Sequence, residues 1–114
     1  MAQNRNKLID LFIGNLVNAV LHRILEKAIL DSLEIAVKYK KEIKNSWEIA
    51  KAYREKINPR DASLPPRDTE EIRSRAISRI KSEIAIRMSK GYKNLSLDEA
   101  EKEVDAALQE MKIV

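Results

Sequence analysis

The fold is decided by residues 15–57, which read NLVNAVLHRILEKAILDSLEIAVKYKKEIKNSWEIAKAYREKI and contain neither Gly nor Pro. Leu, Ile, Ala, Glu, Lys and Arg dominate this stretch, and their side chains lose little rotamer freedom in a helix. Apolar residues recur at nearly every helical turn, and this spacing indicates amphipathic helices. We therefore predict an all-α fold.

Signals on either side of this stretch predict a bundle of about four helices. Residues 68–71 (Asp-Thr-Glu-Glu) and 96–99 (Ser-Leu-Asp-Glu) have the form of capping boxes that open a third and a fourth helix. Gly91 suits the left-handed residue that closes the third helix. The predicted helices cover approximately residues 4–29, 32–57, 69–90 and 97–112.

The boundary between the first two helices is less clearly marked. Asp31 and Glu34 offer a further capping box, but neither Gly nor Pro supports a turn at this point. One continuous helix is therefore an alternative. Residues 58–67 contain three Pro and form a linker between the two helical pairs, and the 114 residues form a single helical domain.

The predicted first helix is apolar over most of its circumference. One polar strip remains, formed by Asp10, Asn15, Asn18, His22 and Glu26. Three further helices of one chain could hardly cover the two apolar rows beside this strip, and an uncovered row would be a large exposed patch. We therefore expect a homo-oligomer, with a twofold dimer favoured. The residues expected at its interface are Leu8, Phe12, Leu16, Val20 and Ile24.

Residues that usually perform chemistry are scarce in this chain. It has one His, no Cys, and two Gly that are far apart, so no phosphate-binding glycine loop is present. His22 is the only conventional general base, and no HExxH pattern accompanies it. We predict no catalytic, cofactor or metal site and no small-molecule substrate. An enzyme centred on His22 is the third interpretation, after two non-enzymatic ones.

Basic residues form the most suggestive set of side chains. The net charge is +4, but residues 95–114 carry six acidic and only two basic side chains, so the rest of the chain is strongly basic. On a helical projection, Arg75, Arg79 and Lys90 share one face of the third helix, and Lys93 follows. These four residues are candidate contacts for phosphates, with lysines of the second helix beside them. A solvated basic face without function is the alternative.

These observations favour a non-enzymatic assembly or interaction module that acts through self-association. The alternative function is a basic nucleic-acid-binding protein that contacts phosphates with helices 2 and 3. The most apolar stretch, residues 8–30, contains five charged or His side chains, so we expect no membrane crossing. We expect a cytoplasmic location, and the Lys-, Arg-, Glu- and Ile-rich composition is typical of thermophiles.

Overall fold

A computed structural model of the chain describes residues 5–28, 33–57, 64–92 and 94–111. These residues form four α-helices and no strand: α1 is Arg5–Ala28, α2 is Leu33–Ile57, α3 is Pro66–Ser89 and α4 is Asp98–Glu110. The predicted all-α bundle of four helices is therefore confirmed. The observed ends differ from the predicted ones by at most three residues.

The largest difference is at the start of α3. This helix begins at Pro66, three residues before the predicted position, with Pro65 as its N-cap. Proline suits the first helical position because its φ is already helical and its missing N–H would have no partner there. The Thr69 amide and hydroxyl both donate to the Pro65 carbonyl, at 3.1 and 3.3 Å. The predicted linker thus ends at Pro65, and residues 58–63 lie outside the described part.

The α3–α4 connection follows its sequence signal at Gly91 but not at the start of α4. Gly91 has φ +95°, the amide of Gly91 donates to Met88, and the amide of Tyr92 donates to Arg87. This pair of bonds is a Schellman motif, so the predicted closing role of Gly91 is confirmed. At the other end, α4 begins at Asp98 with Leu97 as its N-cap and no side-chain cap hydrogen bond, so the predicted capping box at residues 96–99 is not formed. The Ser96 hydroxyl instead accepts a hydrogen bond of 3.3 Å from the Asp98 amide.

The four helices are arranged with α1 at the centre. It packs against α2, α3 and α4, and α3 also packs against α4. Contacts between α1 and α2 pair Asn18 with Ser46 and, further along α1, Glu26 with Lys40, so the two helices run antiparallel. The alternative of one continuous helix is therefore wrong. The capping box predicted at this boundary begins at Asp31, and residues 29–32 lie outside the described part.

The core draws unequally on the four helices. Half of its largest fully buried side chains come from α1, and the others come from α3 and α4. From α2, by contrast, the only buried apolar residues among those described are Ala50 and Ile57. The aromatic residues Tyr39, Trp47 and Tyr53 pack against the core while partly exposed. Among the helices, α2 is therefore the least covered.

The central helix is also the most apolar one. Over Asn6–Ala28 it is long and apolar enough to cross a membrane by length and composition. In this fold 61% of an apolar 18-residue stretch of this segment is buried inside the chain. A core helix meets the same criterion, so this property alone does not distinguish a membrane helix from a helix at the centre of a bundle.

Candidate functional site

The residues predicted to form an oligomer interface lie in the interior of the single chain. They are Leu8, Phe12, Leu16, Val20 and Ile24, and none exposes more than 7% of its surface. The second apolar row of α1 is buried to the same degree and consists of Ile9, Ile13, Val17, Leu21 and Leu25. The expectation that one chain leaves a row uncovered was wrong, because α1 is central and has three neighbouring helices. Self-association stays a prediction, and it requires a different surface.

The four candidate phosphate contacts differ in their surroundings. The Arg75 guanidinium lies 2.8 Å from Asp10 and 3.6 Å from Glu71, so carboxylates already compensate its charge. Arg79 and Lys90 are exposed, and within the described part of the chain neither forms an ion pair. Lys93 lies outside the described residues. The predicted basic face is therefore partly neutralised within the fold.

The acidic helix α4 neutralises further basic residues. Arg73 of α3 donates to Asp105 at 2.7 Å and to Glu101 at 2.9 Å, and these two carboxylates raise the pKa of Arg73, the hydrogen bond to Asp105 most strongly. Lys27 of α1 pairs with Glu103, a carboxylate that is 8% exposed. The acidic end of the sequence thus holds α4 against α1 and α3.

A cleft between α1 and α3 brings together polar groups that are far apart in the sequence. Its volume is about 390 Å³, within the range of small-molecule sites. The residues lining it are Gly14, Val17, Asn18, Leu21, His22, Ser78, Arg79, Ser82, Glu83 and Arg87. Val17 and Leu21 are buried, so they form an apolar floor below polar walls.

Charge in this cleft is unevenly compensated. Arg87 donates to the Glu83 carboxylate at 2.7 Å and to the Glu83 carbonyl at 3.2 Å, so these two charges cancel. Arg79 has no such partner among the described residues. Gly14 leaves space in the opposite wall, since a Cβ added there would meet no atom within 4 Å. The cleft therefore offers one uncompensated cation and an open volume beside it.

The only His of the chain also lines this cleft. The Nδ1 atom of His22 lies 2.7 Å from the Asn18 carbonyl oxygen. A carbonyl can only accept, so Nδ1 carries the proton and Nε2 is the ring nitrogen left for a ligand. The ring packs edge-on against Tyr39 of α2, with the centroids 5.3 Å apart, and this contact orients the imidazole.

A second groove lies between α1 and α2. It has a volume of about 430 Å³ and is lined by Arg23, Glu26, Lys40, Ile43, Lys44, Trp47, Glu48 and Lys51. The Arg23 guanidinium covers the Trp47 ring at 4.2 Å from its centroid. The aromatic face is therefore occupied by a residue of the chain itself, and it offers no open stacking platform.

Exposed apolar side chains are concentrated at one end of the bundle. Of the seven large hydrophobic residues that the described part exposes, six form this apolar end: Ile35, Val37, Ile86, Met88, Tyr92 and Leu97. Three contacts place these segments around the last two turns of α1. The Asn94 amide donates to the Ala28 carbonyl where α1 ends, Lys40 near the start of α2 pairs with Glu26, and Arg87 lines the cleft with His22.

No family model, curated protein or solved structure matches this chain. Within the described residues, no group of three or more His, Asp and Glu side chains is placed to hold a metal ion. Sequence reasoning identified Arg79 but missed the cleft, because His22 and Arg79 are 57 positions apart and only the packing of α3 on α1 joins them.

Proposed function

We propose that this protein is a non-enzymatic interaction module that pairs with a second copy of itself through the apolar end. The observation that carries the proposal is that six of the seven exposed large hydrophobic side chains of the described residues lie at that end. Single hydrophobic residues scattered over a protein surface are ordinary, whereas their concentration at one end of a bundle favours an interaction site there.

A second copy is the partner that this surface fits best. Identical chains most often associate by pairing the same patch around a twofold axis, which needs no other component. The residues of the apolar end are each between 41% and 52% exposed, so each has apolar area left to bury on association. Burial of apolar area contributes roughly 25 cal/mol per Å² before the cost of association is subtracted.

The test combines two substitutions in the apolar end. In a Val37→Glu, Leu97→Glu variant, the two new carboxylates would be placed in the interface, where burial without a partner is strongly unfavourable. Both positions are exposed in the single chain, so the helical content measured by circular dichroism should be unchanged. Sedimentation velocity should show the unmodified protein as a dimer and this variant as a monomer.

Ile49→Glu provides the matched control. Ile49 is 46% exposed, like the residues of the apolar end, but it lies towards the middle of α2. We expect this variant to remain a dimer. Dissociation by Ile49→Glu to the same extent would show that the apolar end is not the interface.

A second candidate function is nucleic-acid binding, favoured by two exposed basic residues, Arg79 of α3 and Lys90 at the C-cap of the same helix. Replacement of Arg75, Arg79 and Lys90 by Gln should weaken binding evenly across sequences and reduce the dependence of affinity on salt concentration. A gel-shift titration at several salt concentrations measures both effects. Equal binding by the triple variant and the unmodified protein would exclude this face as the contact surface.

A further inference from the structure

We propose that the cleft between α1 and α3 binds a single phosphate group of a small phosphorylated molecule. Arg79 is the residue that attracts it. Arg87 is paired with Glu83, whereas Arg79 lines the same cleft without a carboxylate partner among the described residues. A guanidinium presents a planar fork of donors that matches two oxygens of a phosphate.

The remaining polar groups supply donors around the same volume. Ser78 and Ser82 also line the cleft, one helical turn apart on α3, and Arg79 lies between them in the sequence. Their hydroxyls can donate to phosphate oxygens. On the α1 side, His22 has Nδ1 committed to the Asn18 carbonyl, so Nε2 remains to accept from a protonated phosphate oxygen or, in the charged ring, to donate.

The size and lining of the cleft indicate which molecules fit. A volume of about 390 Å³ is far larger than one phosphate group, so a small organic part can occupy the rest. That part would lie against the buried Val17 and Leu21 and the open space at Gly14. The apolar floor and the single uncompensated arginine favour a monophosphate over a polyphosphate, whose additional charges would have no cation to meet.

The first experiment measures binding of inorganic phosphate to the full chain by isothermal titration calorimetry at constant ionic strength. We expect saturable binding of one phosphate per chain. Arg79→Gln should weaken it by roughly ten- to a hundredfold, the range for loss of a charge-assisted hydrogen bond. Lys81→Gln removes the same charge from the same helix but outside the cleft, and should change the affinity by less than about twofold.

A second variant changes the volume of the cleft without changing its charge. Gly14→Leu places an apolar side chain in the space opposite α3, and helix propensity favours Leu over Gly at this position, so the protein should stay folded. We expect this variant to lose affinity for a phosphorylated ligand such as a 5′-nucleoside monophosphate. The corresponding nucleoside, which lacks the phosphate, should not bind the unmodified protein measurably.

Three results would overturn the proposal. These are absence of saturable phosphate binding, an equal loss of affinity in Lys81→Gln and Arg79→Gln, or equal binding of the nucleoside and its monophosphate. An equal loss in both variants would mean that phosphate responds only to the net charge of the protein.

Discussion

Replacement of Phe12 by Ala tests whether α1 is covered by its own chain. Phe12 is a fully buried residue in the first half of α1, and truncation of such a side chain typically costs about 3–5 kcal/mol through lost burial and the cavity left behind. A small domain has a total stability of only about 5–15 kcal/mol. We therefore expect the melting temperature to fall by roughly 10–30 °C, using the usual relation between free energy and melting temperature.

The assay is urea unfolding followed by circular dichroism at several protein concentrations. If the neighbours of Phe12 belong to the same chain, the stability difference between variant and unmodified protein is the same at every concentration. If they belonged to another chain, the difference would change with concentration, because stability would then depend on association. Ile49→Ala, at a side chain that is 46% exposed, is the control and should change stability by less than about 0.5 kcal/mol. A concentration-dependent difference, or an unchanged urea midpoint for Phe12→Ala, would refute the burial of α1 within one chain.

Three further substitutions have expected effects on stability. Gly14→Ala should raise it by about 0.5–1 kcal/mol, because Gly is unfavourable inside a helix and the new Cβ meets no atom within 4 Å; a lower melting temperature would contradict this. Arg54 is 4% exposed and its Nε donates to the Met111 carbonyl at 3.0 Å. Arg54→Leu should therefore lower the free energy of unfolding in urea by about 1–3 kcal/mol and increase amide exchange in the last turns of α2. Unchanged exchange would mean that this contact does not hold α2. Lys27→Ala removes the cation beside the nearly buried Glu103 and should lower the free energy of unfolding by about 1–2 kcal/mol. This loss should be smaller when Glu103→Gln is also present, and equal losses in both backgrounds would show that the two side chains are not coupled.

Much of the fold could be predicted from local signals, because the relevant residues act on their own neighbours. Gly91 closes α3 through bonds to residues of its last turn. The predicted capping box at residues 96–99 gave the start of α4 to within one residue, although Leu97 rather than Ser96 is the N-cap. The start of α3 was misplaced because the Asp68 capping box competes with Pro66, whose preference for the first helical position prevailed.

The coverage of α1 could not be predicted, because it depends on how helices pack rather than on any one of them. A helix that is apolar on most sides can be buried by its own chain or by another, and its sequence is the same in both cases. Likewise, the compensation of Arg75 by Asp10 joins residues 65 positions apart, and no local pattern indicates it. Of the candidate site, therefore, only Arg79 and the basic residues near it could be predicted from the sequence.

The mass of the unmodified protein in solution tests the central proposal most directly. Light scattering at micromolar concentration, coupled to size-exclusion chromatography, gives this mass without a shape assumption. Pairing through the apolar end predicts a mass of two chains, twice 13.1 kDa, that falls towards one chain on dilution. A mass of 13.1 kDa at every concentration up to the highest measured would contradict self-association.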